Sequence, residues 1–380
     1  MSPLLRLARR NLGRRPGRTA LTAGGVAFAM LLLVLTGSLE DGIDRALDGS
    51  EAARTLVVYR KNRYCPQTSF LPEWYAERIR RVPGVTAVLP VKVFLNNCRA
   101  SLDLVTFLGA PADGLLASRG LRVIEGDGEA FRRVKDAALA GRAFAARKGL
   151  SVGDQFRFGG VDVKVVGVVA SGEPTDEGVI YTHLEYLQRA GPVDRLGTVT
   201  QFDVTVAEAS RAREVATAID ALFKDAEAPT DTRSKTSFLE AAVKDLRELL
   251  RFGAALASIC VLVVLALVAG AVLMSAQERV REFGVLRTLG YRGKHVALVV
   301  LLEACALSLA GGAFGVAAGL LIVRLGHVSF GAEGVAVELS SDPALALRGL
   351  GAALLAGAAA GLGPAWRASR AEPVDAIRGN

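Results

Sequence analysis

Histidine is nearly missing from this chain. His183, His295 and His327 are the only three in 380 residues, and they are far apart. No His-Glu-x-x-His pattern and no clustered Cys/His spacing supplies a ligand set, so no metal site is expected. A Ser-His-Asp arrangement drawn from distant segments would leave no trace in sequence, but no nucleophile elbow supports one. A Walker A loop is also missing. Gly290, Gly293, Lys294 and His295 lack its glycine spacing and the hydroxyl residue after lysine. The chain therefore reads as a non-enzyme that holds no cofactor of its own and does not hydrolyse ATP.

Charge is missing in a pattern. Thr19–Leu39 and Phe252–Gln277 carry none, Val296–Val323 carries only Glu303, and Leu345–Trp366 only Arg348. Each run is long enough to cross about 30 Å of hydrocarbon as a helix. This concentration explains how 51% hydrophobic residues and a mean hydropathy of +0.34 coexist with 22% charged residues. Phe252–Met274 holds about a dozen Leu, Ile, Val and Phe residues, at about −0.3 to −0.6 kcal/mol each near a bilayer centre. Glu303 would cost about 3 kcal/mol on the same scale, so its run still qualifies. The fourth run, rich in Ala and Gly, is the weakest.

Acids are absent among Arg6, Arg9, Arg10, Arg14, Arg15 and Arg18, ahead of the first run, and Lys and Arg are absent from Gly326–Ala346. Further basic residues follow the second run (Arg279, Arg281, Arg287, Arg292, Lys294) and the fourth (Arg367, Arg370, Arg378). The positive-inside rule then places both termini and the middle loop in the cytoplasm. The net charge of +8 follows membrane edges rather than forming a nucleic-acid patch. The first run is longer than a signal-peptide core and no Ala-x-Ala site follows, so it reads as an uncleaved span.

The fold class expected is a membrane protein: four transmembrane α-helices with a large α+β extracytoplasmic domain inserted between helices 1 and 2. The boundaries read as 1–18 cytoplasmic, 19–39 span, 40–251 external domain with stalk helices at both ends, 252–277 span, 278–294 coupling helix and loop, 295–325 span, 326–344 external loop, 345–366 span and 367–380 tail. In the insert, Arg54–Tyr59, Val85–Leu89, Leu102–Leu108, Val161–Val169 and Phe202–Val206 read as strands, and Glu73–Arg81 and Arg211–Lys224 as helices. Two subdomains are expected, the middle portion richer in strand. Glu40–Leu47 and Ser237–Arg251 read as helical extensions of the spans; in the second, Phe238, Ala242, Leu246, Leu249 and Leu250 form an apolar stripe. An ordinary domain-core helix is the alternative.

Gly311, Gly315 and Gly319 share one side of the third span, and Gly349, Ala353, Gly357 and Gly361 one side of the fourth. Such faces let backbones approach, in a tight bundle or at a seam between subunits. Of four cysteines, Cys65 and Cys98 fall in the insert, where an oxidising compartment would allow a disulfide; two free thiols are the alternative. Cys260 and Cys305 fall in spans and read as packing.

The stretch Glu278–Gly290 combines charge with helical periodicity. Val280, Phe283, Leu286 and Leu289 make an apolar side, Arg279, Arg281, Glu282 and Arg287 fall largely elsewhere, and Gly290 marks the stop. A structured helix between two spans suits docking to a partner. Glu303, about two turns into its span, is open to three readings: pairing with a basic residue near the cytoplasmic surface, carrying protons, or local packing.

Three stretches carry a family resemblance: Leu7–Thr22 (LARRNLGRRPGRTALT), Gln277–Gly290 (QERVREFGVLRTLG) and Gly363–Arg378 (GPAWRASRAEPVDAIR). With the order of spans, and with Gly149–Asp154 in the insert, they resemble the FtsX-like ABC transporter permeases, which include macrolide-exporter and lipoprotein-release types. The resemblance implies a permease that passes motion from a separate cytoplasmic ATPase dimer, where ATP and Mg bind, to its external domain. It implies a second permease copy, identical or related, and a periplasmic adaptor as a further candidate partner, in a bacterial inner membrane. Glu278, Arg279, Arg281, Glu282, Phe283 and Arg287 would lie on the coupling helix, and Arg367, Arg370, Pro373 and Arg378 near the ATPase. Cargo would be an amphiphile, lipoprotein, peptide or drug. The alternative is a regulator that switches an extracytoplasmic enzyme, such as a cell-wall hydrolase, and moves nothing.

Overall fold

The computed structural model describes residues 14–47, 54–63, 65, 68–95, 105–326, 329–332, 335–339 and 342–370. Helix α1 spans Pro16–Leu47. It is followed by β1 (Thr55–Arg60), β2 (Leu71–Pro72), α2 (Tyr75–Arg80), β3 (Val85–Leu95), β4 (Thr106–Ala110), α3 (Ala112–Ser118) and β5 (Arg122–Gly126). Next come α4 (Gly128–Arg133), β6 (Ala137–Gly141), α5 (Arg142–Lys148), β7 (Gln155–Phe158), β8 (Val161–Ala170), α6 (Pro174–Glu177), β9 (Ile180–His183) and α7 (Leu184–Arg189). β10 (Thr198–Val199), β11 (Gln201–Val206), α8 (Ala212–Leu222) and β12 (Thr230–Ser234) lead to α9 (Lys235–Glu278). The rest is α10 (Val280–Thr288), α11 (Gly293–Gly326), the hairpin β13 (Ser329–Ala332) and β14 (Val335–Glu338), and α12 (Pro343–Arg370). The chain divides into two compact units, one of residues 1–38, 249–326 and 340–380, the other of residues 39–248 and 327–339.

In the first unit, α1, α9, α11 and α12 are the four helices long and apolar enough to cross a membrane among the described residues. α12 starts as its sequence dictates: Pro343 needs no N–H partner in the first turn, and Asp342 Oδ1 accepts from Ala344 N at 2.9 Å. Valines four apart on α9 (Val264, Val268, Val272) turn inward and pack with Val26, Met30 and Val34 of α1 and Val296 and Val300 of α11. Leu256, Leu262 and Leu267 of α9 point out and are about half exposed or more.

Both small-residue faces receive a helix of the same chain, as the tight-bundle reading expects. Gly311, Gly315 and Gly319 receive α1: a Cβ at Gly311 would stand 2.5 Å from the Ala23 carbonyl oxygen, and one at Gly315 would run into that of Ala27. Gly349, Gly357 and Gly361 of α12 receive Val316, Ser308 and Ala304 of α11 at 2.8 Å in the same sense. These contacts replace side chains with backbone approach, which is how helices associate where no water drives them together.

The second unit is built on one ten-stranded sheet, ordered β12-β1-β11-β3-β4-β9-β6-β8-β5, with β7 on β8. Its first four strands are antiparallel. With α2 and α8 they make a split βαβ arrangement, interrupted by everything between β3 and β11. β3 holds the sheet together: Val85–Val91 pairs with β11 and Lys92–Leu95 with β4. This is why the strand read as Val85–Leu89 runs to Leu95. The two expected subdomains are therefore lobes of a single sheet. One core gathers Tyr75, Ile79, Phe202, Val215, Ile219 and Phe223. Two others cover opposite faces of the inserted lobe around Phe131 and Tyr181, and around Phe107, Phe144 and Val165. β8 alternates in burial over Val161–Val166 and is buried from Gly167 to Ala170, as its sequence pattern requires.

A buried ion cluster joins the lobes. Arg119 reaches Asp176 at 2.6 Å and also Asp203 of β11, and Lys235, the first residue of α9, meets Glu173. The flanking carboxylates hold the Arg119 guanidinium even more firmly protonated than usual, against its burial.

Several sequence-based boundaries shift. The helices read as Glu73–Arg81 and Arg211–Lys224 are the shorter α2 and α8, and the strand read as Leu102–Leu108 is β4, with residues 102–104 outside the described residues. The loop 326–344 contains the β13–β14 hairpin. Both segments read as helical extensions are helical: α1 continues to Leu47, α9 is unbroken from Lys235, and Arg247 reaches Asp44 at 3.1 Å. The buried side of α9 is Leu239, Val243 and Leu250, whereas Leu249 of the expected stripe is 62% exposed. The side chains of Ala242 and Leu246 lie outside the described residues.

Candidate functional site

α9 ends at Glu278 because Arg279 leaves helical geometry (φ −114°, ψ 18°). The break is tight: Arg279 N donates to Ala276 O at 3.1 Å, and Phe283 N donates to Arg279 O at 3.0 Å, so α10 begins at once. α10 ends on a Schellman motif. Tyr291 N donates to Leu286 O and Gly290 N to Arg287 O, each at 3.1 Å, with Gly290 at φ +92°. The expected stop at Gly290 is thus in place, and both ends of this nine-residue helix are determined locally.

Arg279 turns inward. Its Nη2 donates to Glu303 Oε1 at 2.8 Å and Oε2 at 2.6 Å, its Nε donates to Ser275 O at 3.0 Å, and Ser275 Oγ donates to Glu303 Oε1 at 3.1 Å. The two charged side chains are 7% and 6% exposed. Arg279 Nη1 is buried with no partner among the described residues. Of the three readings of Glu303, the geometry matches pairing with a base at the end of the bundle. Arg279, expected on the coupling helix away from its apolar side, is claimed by a buried acid one helix away, since a lone carboxylate there would be far costlier than a paired one.

The first turn of α1 and the two residues ahead of it close on the same place. Arg14 reaches Glu282 at 2.5 Å, and Arg15 and Arg18 reach Glu278 at 3.2 and 3.0 Å. These residues, with Thr22, Ser275, Arg279 and Glu303, line a cleft of about 290 Å³. Reading Arg14, Arg15 and Arg18 only as topology signals missed this role. The available cue was the acid pair Glu278 and Glu282, four apart in an otherwise basic stretch.

The other side of α10 is open. Phe283 is buried and Leu286 half-buried, but Val285 is 53% and Leu289 72% exposed, so Leu289 does not belong to the inward stripe. Arg281 is exposed and Arg287 half-buried. At the end of α12, Arg367 and Arg370 are exposed, and the Arg370 guanidinium stacks 4.2 Å from the Trp366 ring. The Ser369 carbonyl oxygen lies where a Cβ on Gly293 would sit 2.6 Å away, so α12 ends against the start of α11. Pro373 and Arg378 lie outside the described residues. Cys65 is disulfide-bonded; Cys98 lies outside the described residues, and Cys260 and Cys305 are free. No group of three or more His, Cys, Asp or Glu suited to a metal occurs among the described residues.

Residues 19–222 match the MacB-like periplasmic core domain, and residues 254–373 the FtsX-like permease C-terminal region. Over 106 residues the chain is 38% identical to the macrolide export ATP-binding/permease protein MacB of Syntrophobacter fumaroxidans, covering 28% of this chain and 14% of that protein. It is 26% identical over 382 aligned positions to the pyoverdine export ATP-binding/permease protein PvdT of Pseudomonas fluorescens, covering 95% of this chain and 57% of that protein. The chain thus spans less than two thirds of either relative. The crystal structure of the periplasmic region of MacB from Actinobacillus actinomycetemcomitans aligns with 51% of this chain and 96% of its own length, at 10% identity and a TM-score of 0.36. With one match covering more than half of its residues and the other most of the remainder, the chain belongs to the FtsX-like ABC transporter permeases that carry a MacB-like periplasmic core domain.

Proposed function

We propose that this chain is the membrane subunit of an export-type ABC transporter and works by passing motion from a cytoplasmic ATP-binding partner to its large mixed unit. In this reading both termini and α10 face the cytoplasm, ATP and Mg bind on the partner, and two permeases work with two ATPases in a bacterial cytoplasmic membrane. The mixed unit faces outward, engaging a cargo such as an amphiphile, lipoprotein, peptide or drug, or an adaptor that presents it.

The observation that carries this is the contact of Arg279 with Glu303. A helix that docks a partner transmits force only if it is tied to the bundle behind it. α10 is tied at its first turn by that buried pair and on one flank by Arg14 on Glu282, while Arg281, Val285 and Leu289 remain exposed on its outer side. An amphipathic helix presenting such a side fits a partner groove. Nucleotide-dependent pressure on α10 would then bias a bundle with two packings, and the unbroken α9 would carry the change outward.

The test uses the chain in lipid nanodiscs with the ATP-binding protein isolated alongside it. The variant R281E/R287E is expected to lose stimulation of ATP hydrolysis while the mixed unit keeps its circular dichroism; full stimulation would sink the docking assignment. Cysteines at Val193 and Thr288 are expected to react with impermeant reagents from opposite sides of a sealed vesicle. Reaction from one side would overturn the topology. Cargo movement by the purified complex separates an exporter from a regulator that only switches an extracytoplasmic enzyme.

A further inference from the structure

The mixed unit holds a cavity of about 410 Å³ between the end of β3 and the segment after α7. Phe70, Phe94, Val161 and Leu187 supply apolar wall, and Lys92 and Arg195 supply charge. Lys92 stands where β3 leaves β11 to pair with β4, opposite Gly109. Its neighbours Val91 and Val93 are buried on the other face of the strand, and Lys92 itself is only 7% exposed. A largely buried lysine thus lines this cavity, where an ammonium costs more than an apolar side chain would.

Among the described residues this charge has no counter-charge. Nζ donates to the Arg195 carbonyl oxygen at 3.3 Å, which leaves two of its three N–H groups unused. The second charge here is also positive: the Arg195 guanidinium lies 4.1 Å over the Phe70 ring. No Asp or Glu is among the described residues that line the cavity. Nearby acids are engaged elsewhere, Asp162 with Gln155 and Arg157, and Glu185 with Lys135. Asp194 is exposed and takes no part in the lining. Burial, and then the neighbouring Arg195, push the Lys92 ammonium below its ordinary value.

We propose that this cavity binds an organic anion: a carboxylate or phosphate carried on a compact apolar or aromatic body. The head group would take the free N–H groups of Lys92 and the guanidinium of Arg195, a charge-assisted arrangement. The body would lie against Phe70, Phe94 and Leu187. The volume falls in the range of about 300–1,000 Å³ usual for small-molecule sites. The inference concerns binding alone and stands whether or not the transport reading holds.

The experiment is photolabelling of the full chain in neutral phosphatidylcholine nanodiscs with a trifluoromethyl-diazirinyl benzoate, beside the uncharged benzyl alcohol analogue. Labelled positions are mapped by peptide mass spectrometry. The expected result is saturable acid labelling on segments containing Phe70, Phe94 or Leu187, well above that from the alcohol. K92Q and R195Q should each lower it about tenfold, the loss of one charge-assisted hydrogen bond, and K92R should retain it. Competition decides the source: suppression by free decanoate marks a soluble organic acid, suppression by phosphatidylglycerol a lipid headgroup. Should a variant fail to fold, saturation and competition on the unaltered chain still decide. Equal labelling by acid and alcohol, labelling only elsewhere, folded variants that label fully, or failure of both competitors would each overturn the site.

Discussion

Arg279 and Glu303 meet across two helices, one guanidinium nitrogen bridging both carboxylate oxygens at 2.8 and 2.6 Å. The arginine is the single residue separating α9 from α10, so the pair anchors the point where a long apolar helix turns into a short charged one. α10 beyond that point is held by this anchor, by the buried Phe283 and by Arg14 on Glu282.

Removing one member of the pair should cost far more than removing both. R279M alone or E303L alone strands a buried charge and is expected to lower stability by about 3–5 kcal/mol. R279M/E303L should recover most of that loss. Thermal unfolding in nanodiscs measures all three. If the pair also ties α10 to the bundle, the double variant stays folded yet stimulates ATP hydrolysis poorly. A double variant as unstable as the singles would mean the pair is not an isolated unit.

The glycine faces predict which backbone positions tolerate a side chain. Gly315 packs against the Ala27 backbone, so G315A forces α1 and α11 apart and should cost about 1–3 kcal/mol. Gly270 on α9 has open space around its Cβ position, and G270A should be neutral or stabilising by about 1 kcal/mol. A lower unfolding temperature for G315A and an equal or higher one for G270A are expected; equal losses would contradict the packing described.

Gly290 is needed for its positive φ rather than for space, since nothing crowds its Cβ position. G290A should strain the left-handed cap by about 1–2 kcal/mol. Hydrogen exchange is expected to speed up at the amides of Gly290 and Tyr291, while the unfolding temperature of the mixed unit does not move. Unchanged exchange there would show that the Schellman cap is not what ends α10.

Lys92 gives a pH signature. Its folded-state value lies below the usual 10.5, so between the two values the unfolded chain binds more protons and stability rises with pH. The penalty of the buried charge is complete below the folded value and gone above about 10.5. K92M should therefore raise the unfolding temperature near neutral pH, with the gain shrinking as pH climbs toward 10. A gain independent of pH would place the effect in packing rather than charge.

Sequence alone determined what depends on composition and short periods. Four charge-free or nearly charge-free runs had no stable place but a helix long enough to span a bilayer, and period-2 alternation marked β8 because each strand face meets one environment. The glycine stop of α10 was legible for the same reason: caps and turns are settled within a few residues. Only the tertiary structure decided which charges meet. Arg279 and Glu303 are 24 residues apart, and Arg14 and Glu282 are 268 apart, and no local rule distinguishes an arginine that turns into the bundle from one that faces out. The same holds for β3, whose extra length follows from two partner strands far along the chain, and for Lys92, which in sequence is one cation among 46 Lys and Arg residues. Burial and charge pairing are properties of the packed surface, and they exist only once distant segments have come together.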